Sequence, residues 1–298
     1  MKYRLLGKSG LLISEISFGC MSLHGDHEAN IMILQSALDY GINFFDTADV
    51  YDNGENEIIV GKAFKNNRDK VIIATKVGNQ LKASGHGFDW NPSRKHILES
   101  VDKSLARLQT DYIDLYQLHG GTMDDMIDET IEAFELLKQH GKIKHYGISS
   151  IRPNVIREYV SGSNIVSVMM QYSLLDRRPE ESCLDLLQQN SIGVIVRGAL
   201  AKGLLVDKEP TSFLDHSSDE VHKAQNVIKH LSTSERFISD IPIQYVLSNP
   251  SVSTVVVGIR TPEQLKASCH ASNDSTLSAS EINQLRTAIK QNCYDQHR

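Results

Sequence analysis

Short apolar runs alternate along the chain with longer amphipathic segments. The runs fall at Glu15–Gly19, Asn43–Asp46, Val71–Lys76, Ile113–Gln117, His145–Ser149, Ser167–Gln171, Gly193–Arg197 and Thr254–Val257. Most are nearly continuous, as expected of parallel strands covered on both faces. Each is followed by a helical pattern: Ile31–Tyr40, Glu55–Phe64, Ser93–Leu108, Asp128–Gln139, Val155–Val160, Cys183–Gln189, Ile238–Leu247 and Pro262–Ala271. Eight such units predict a closed (β/α)8 TIM barrel of class α/β, whereas six would have suited a doubly wound sheet equally well.

Boundary residues support the reading. Asn91-Pro92-Ser93 offers a capping side chain and a proline suited to a first turn. Gly41 and Gly141 follow helical patterns, where positive φ is wanted. Three pieces fall outside the eight units. Tyr3–Ile13 reads as an N-terminal hairpin covering the barrel floor. Val206–Ser234 is a polar connection with helical character at Val221–Leu231, and such long loops usually serve a site. Ser280–Asp295 reads as an extra C-terminal helix. With no linker or low-complexity run, residues 1–298 are expected to form one domain.

Composition narrows the function. A net charge of −6 argues against a nucleic-acid partner, which needs a clustered positive surface. Cys20, Cys183, Cys269 and Cys293 lie far apart without a C-x-x-C pair, so neither a disulfide framework nor a zinc site is suggested. No leader-like apolar stretch follows Met1, and no run reaches membrane-spanning length. The expectation is a cytoplasmic protein without a membrane partner. Oligomeric state is left open.

In a barrel of this kind the chemistry sits at the C-terminal ends of the strands. Those positions bring out Asp46 and Tyr51 after the second run, Lys76 at the end of the third, and His119 after the fourth. A nearby ammonium lowers the pKa of a phenol, a carboxylate holds the ammonium charged, and an imidazole can orient a carbonyl. Together they suit general-acid reduction of a C=O bond. Singly, each residue has a plainer reading: a structural ion pair for Lys76 and Asp46, a half-buried aromatic for Tyr51, a satisfied histidine for His119. His24, Asp26 and His27 look like metal ligands, but Asp26 is more naturally a helix cap; no metal site is expected. Asp124, Asp125 and Asp128 read as an acidic first helical turn. Cys20 ends the first run, where packing is the leading reading and a reactive thiol the other.

The segment NFFDTADVYDNGENEIIVGK, from Asn43 to Lys62, resembles the second unit of the aldo-keto reductases. The resemblance continues through DYIDLYQLHG, KIKHYGISS, VRGALAKGLL and VVVGIRTPEQL, in order over essentially the whole chain. It implies Asp46, Tyr51, Lys76 and His119 as a catalytic tetrad acting on a small-molecule carbonyl substrate. No G-x-G-x-x-G follows a strand, which argues against a Rossmann site. The loops after the seventh and eighth runs offer glycines, cations and a helix N-terminus instead.

The resemblance further implies NADP(H) as cofactor. Arg197, Gly198, Ala199, Leu200, Ala201 and Lys202 would follow its pyrophosphate. Gly258 and Ile259 lead to Arg260, which with Thr261 and Gln264 would surround the 2′-phosphate. Ser149, Ser150 and Gln171 match positions that hold the nicotinamide carboxamide, and Cys20, Met21 and Asp46 complete the cofactor set. The chain departs from the family pattern at Ser150 (commonly asparagine), Arg197 (commonly a stacking aromatic), Ala267-Ser268 (often Glu-Asn) and Gly120-Gly121 (often bulkier). The expected activity is NADPH-dependent reduction of aldehydes and ketones. The alternative is an NADP-binding regulatory or channel-associated subunit with little turnover; a metal-dependent hydrolase is more distant. Trp90, Tyr112 and Phe213 are candidate pocket walls, with the Asn79–Trp90 loop shaping the pocket.

Overall fold

The structure, a computed structural model, describes residues 1–82, 86–272 and 276–298. Eight parallel strands form the barrel: β1 (Ile16–Gly19), β2 (Phe44–Asp46), β3 (Ile72–Val77), β4 (Ile113–Leu118), β5 (Ile143–Ser149), β6 (Ser167–Gln171), β7 (Gly193–Arg197) and β8 (Val252–Gly258). Each pairs with its chain neighbours, and β8 returns to β1 through Val255–Ile16 to Gly258–Gly19, closing the ring. The expected (β/α)8 class is observed, with every strand end within two residues of its expected place.

The helices are α1 (His27–Asp39), α2 (Glu55–Phe64), α3 (Arg94–Leu108), α4 (Ile127–Gln139), α5 (Pro153–Gly162), α6 (Cys183–Gln189), α7 (Ser218–Leu231), α8 (Asp240–Leu247), α9 (Pro262–His270) and α10 (Ala279–Ala288). Helix α1 begins at His27 rather than Ile31 because Asp26 caps it, accepting the N–H groups of Glu28 at 2.9 Å and Ala29 at 3.2 Å. That use of Asp26 removes the apparent metal cluster, and no group of three ligating side chains occurs among the described residues. Helix α7 extends the helical part of the long connection to Ser218, started by a capping box between Ser217 and Glu220.

Two expectations fail locally. Helix α10 stops at Ala288 and does not reach Asp295. Ile289 is extended and buried, and Asn292 accepts the N–H of Arg177 and donates to the Leu175 carbonyl, so tertiary bonds lay the tail flat. The segment after β3 is not a plain loop: Asn79–Leu81 pairs antiparallel with Phe88–Trp90. Residues 83–85 of that segment lie outside the described residues.

Inside the barrel the period of two sets the layers. Phe44, Ala74, Leu115, Met169 and Ile195 form one buried apolar cluster. The residues two positions on are Asp46, Lys76, Gln117, Gln171 and Arg197, which make the polar layer above it. The same apolar cluster includes Leu6 and Ile13 from the N-terminal hairpin, Tyr3–Leu5 with Leu12–Ser14. The expected floor is therefore present. Gly7 presses on it so closely that a Cβ would stand 2.5 Å from the Gly193 nitrogen, and its φ of +51° suits glycine.

Replacing the fully buried Leu6 by alanine would open a cavity under the barrel. A loss of about 2–5 kcal/mol is expected from denaturant unfolding; a loss below about 1 kcal/mol would show that the hairpin is not part of the core.

Candidate active site

A cavity of about 620 Å³ opens at the C-terminal ends of the strands, lined by Tyr51, Lys76, His119, Ser149, Ser150 and Arg197, with Trp90, Met21 and Arg152 at its walls. Beneath it, Lys76 Nζ donates to Asp46 Oδ2 at 2.7 Å and to the Thr47 carbonyl at 2.7 Å. A third, longer bond at 3.4 Å reaches the Tyr51 hydroxyl. An ammonium has three protons, and all three are used. Tyr51 Oη is thus an acceptor from Lys76, so its own proton is free for another partner. Gln117 Nε2 approaches Asp46 Oδ1 at 3.4 Å and fixes the carboxylate from the side.

The turn after β2 delivers Tyr51 to this spot. Asp52, Asn53 and Gly54 take φ values of 47°, 54° and 94° in succession, which reverses the chain into α2. Thr47 is anchored by donating to Asn56 Oδ1 at 2.7 Å, while Asn56 Nδ2 donates to the Cys20 carbonyl at 2.7 Å. Burial decides the titration of the cluster. It lifts the Tyr51 phenol above its ordinary value, and the pull of Lys76 does not overcome it. The lowering of the Tyr51 pKa expected from Lys76 is therefore not the net result. Burial also opposes the charge on Lys76, but the Asp46 carboxylate more than offsets it and holds the ammonium above its usual range. Burial likewise raises the Asp46 carboxyl above its ordinary value, against the pull of Lys76, and the lifted phenol is protonated at neutral pH.

His119 stands edge-on to Tyr51, with ring centroids 6.0 Å apart and an interplanar angle of 80°. Burial, then the charges of Lys76 and Arg197, hold its imidazole down to about 3, so it is neutral through the physiological range. Its Nδ1 is buried without a hydrogen-bond partner among the described residues. A neutral ring beside a phenol can orient a carbonyl oxygen without competing for the proton.

The expected cofactor residues fall into four groups. Met21, Ser149, Ser150 and Arg197 line the same cavity as the tetrad. Gln171 lies at the end of β6; its amide donates to Asp176 at 2.8 Å and accepts from Arg197 at 3.3 Å. Asp176 is held in turn by two bonds from Arg178. After β7, Gly198, Ala201, Lys202 and Gly203 all have positive φ and wind the loop into tight turns through Ala199 and Leu200. After β8, Thr261 caps α9 by accepting the Gln264 N–H, and Gln264 Oε1 accepts the Arg260 N–H at 2.9 Å. Arg197, Lys202 and Arg260 are exposed and make no ion pair among the described residues.

Some expected positions do not face the cavity. The Cys20 side chain is fully buried in the layer between strands and helices, and burial pushes its thiol well above the usual range. It does not line the cavity, and its burial favours the packing reading. Ile259 is likewise buried, beside the exposed Gly258. Of the candidate walls, Trp90 lines the cavity; Tyr112 instead lies under Arg68 and Lys144, 4.1 and 3.9 Å from its centroid, and Phe213 packs on the core. The long connection does not reach the cavity either: Gln225 ties it down through the Leu204 and Lys208 carbonyls. Asp125 is no helix-turn charge but accepts from Trp90 Nε1 at 2.8 Å. Sequence reasoning left Thr47, Gln117 and Arg152 without roles. The spacing of two from Leu115 would have found Gln117.

Residues 15–290 match the Aldo/keto reductase family. The chain is 48% identical, over the full length of both, to "Uncharacterized oxidoreductase YqkF" of Bacillus subtilis (strain 168). Among solved structures it is similar to the holo form of aldo-keto reductase AKR11C1 from Bacillus halodurans, with a TM-score of 0.94 and 49% identity, covering 100% of this chain and 99% of that one. The apo form of the same protein gives a TM-score of 0.86 at 46% identity and the same coverage.

In the turn before Tyr51, Asp49 has a buried oxygen without a hydrogen-bond partner among the described residues. Burial, then the Glu57 charge, lifts its carboxyl to about 7. An unfolded aspartate titrates near 3.9, so between about pH 4 and 7 the unfolded chain loses its proton first. Stability from this group is complete below that window and lost as pH rises through it. Asp49→Asn should therefore raise the unfolding free energy from denaturant titration relative to wild type at pH 8, by roughly 1–3 kcal/mol, with the gain vanishing near pH 4.5. An equal difference at both pH values would contradict this.

Proposed function

Because the chain belongs to the aldo/keto reductase family of carbonyl-reducing oxidoreductases, we propose that it reduces aldehydes and ketones with NADPH, Tyr51 supplying the proton. The observation that carries this reading is the bonding of the Tyr51 hydroxyl, which accepts from Lys76 and keeps its own proton to give. Tyr51 protonates the carbonyl oxygen as the C–O double bond becomes a single bond. The phenolate left behind is stabilised by the Lys76 ammonium, itself held charged and oriented by Asp46 and the Thr47 carbonyl. His119 directs the carbonyl oxygen toward Tyr51.

The residues present fit a dinucleotide with phosphates. Arg197, Lys202 and Arg260 are cations without carboxylate partners among the described residues, gathered on the loops after β7 and β8. Arg260, Thr261 and Gln264 would hold the 2′-phosphate that distinguishes NADP from NAD, since a guanidinium offers two parallel bonds. Ser149, Ser150 and Gln171 would hold the carboxamide, with the Arg197 guanidinium against the ring. When bound, the reduced nicotinamide would supply the hydride for the carbonyl carbon. Greater similarity to the holo than to the apo form of the Bacillus halodurans protein supports an arrangement ready for cofactor. A regulatory subunit would have no use for the buried pair beneath Tyr51, whose desolvation is costly.

The test is oxidation of NADPH, with NADH in parallel, on simple aldehydes and diketones by wild type and Tyr51→Phe. Turnover favouring NADPH is expected, with kcat falling by about 10²–10⁴ in the variant. Cofactor binding without turnover on any substrate would favour the regulatory reading, and wild-type rates in Tyr51→Phe would remove the assignment of the proton donor.

A further inference from the structure

We propose that the pocket selects short carbonyl compounds carrying an oxyanion, a carboxylate or phosphate ester, which Arg152 binds. This rests on the reductase reading of the same site. Every other arginine that is at least partly buried has a carboxylate beside it: Arg4 with Glu15, Arg68 with Asp114, Arg94 with Glu132, Arg107 with Glu57, Arg177 with Glu180, Arg178 with Asp176 and Arg236 with Glu281. Arg152 is partly buried and has none among the described residues. Its one side-chain bond among the described residues runs from a terminal nitrogen to the Gly121 carbonyl at 2.5 Å. The other side of the guanidinium fork is left for a second partner, and that geometry suits a carboxylate or phosphate.

The surroundings point the same way. Arg152 lines the cavity that holds Tyr51 and His119, and among the described residues no Asp or Glu lines it. A partly desolvated cation with no counter-ion is costly, and an anionic ligand relieves that cost. Arg152 stands in the loop after β5, tied to the loop after β4, and so belongs to a different wall from Arg197, Lys202 and Arg260 on the β7 and β8 loops. Its backbone is preset: Pro153 follows it, its φ and ψ of −101° and 109° are extended, its N–H donates to Ser150 Oγ at 3.2 Å, and its carbonyl accepts the first bond of α5. Little ordering remains to be done on binding. Gly120 and Gly121 line the cavity with it at φ of +147° and +126°, and a Cβ at either would press on Trp90 or Val155.

The experiment compares kcat/KM for 4-oxobutanoate against butanal, and for glyceraldehyde 3-phosphate against glyceraldehyde, in wild type, Arg152→Met and Arg152→Lys. In wild type at least one charged member should be preferred by about tenfold or more, and the pair showing it tells carboxylate from phosphate. In Arg152→Met that ratio should fall about tenfold or more, through KM for the charged member. Arg152→Lys, which keeps the charge without the fork, should lie between. Equal treatment of charged and neutral members by wild type, or a ratio unchanged in Arg152→Met, would overturn the proposal. A second readout needs no turnover. The chain has one tryptophan, Trp90, in the cavity wall. With NADP bound, 4-hydroxybutanoate or glycerol 3-phosphate should change its emission saturably in wild type and not in Arg152→Met. If no aldehyde is reduced, the reductase reading fails; the emission titration then still decides the anion site, and no change with either ligand overturns it.

Discussion

Burying the Lys76 ammonium beside the Asp46 carboxylate takes two charges out of water, which costs several kcal/mol per ion before their attraction repays it. Stability alone is a poor reason to build such a pair. The structure nevertheless satisfies it closely, with the Thr47 carbonyl, the Tyr51 hydroxyl and Gln117 taking the remaining bonds. Much of the local architecture follows from holding Thr47 where its carbonyl can serve. Asn56, at the start of α2, grips Thr47 and the Cys20 carbonyl together, so β1, β2 and α2 are fastened at one point. The three successive positive-φ residues after Tyr51 then become necessary to bring the chain round into α2.

A second constraint is the strand period of two. A residue at position i in the apolar layer and one at i+2 in the polar layer share one strand, so core and site cannot be varied separately. Phe44 is coupled to Asp46, Ala74 to Lys76 and Leu115 to Gln117. A one-residue slip would exchange the two faces of the strand. The hairpin that presses Leu6 and Ile13 into the floor thus supports the layer on which the ionised groups stand.

These periods explain what could be read from the residues alone. Eight apolar runs with helical patterns between them determine the barrel and put Asp46, Tyr51, Lys76 and His119 at one rim. The balance between burial and charge could not be read there. Lys76 does pull on the Tyr51 phenol, yet how far burial opposes it depends on packing by residues distant in sequence. Cys20 directly follows β1 like a wall residue, but it lies in the short helical turn from Cys20 to Ser22, where its side chain is buried in the core while Met21 lines the cavity. The tail after Ala288 keeps a helical pattern in sequence; the bonds of Asn292 to the segment at 175–177 override it. Arg152 drew no notice for a related reason, since the absence of a counter-ion is visible only when all the neighbours are in place.

If the buried pair serves the chemistry at Tyr51 rather than the fold, its two roles can be separated. Replacing Asp46 by leucine and Lys76 by methionine together removes both charges and leaves neither unpaired, an exchange that is often neutral or stabilising. The measurement is the rate of NADPH oxidation with a simple aldehyde by this double variant, on protein shown to unfold at or above the wild-type denaturant midpoint. A fall of about a thousandfold or more is expected, because Tyr51 would then have no ammonium to stabilise its phenolate. A rate within about tenfold of wild type would contradict the dependence of Tyr51 on the pair.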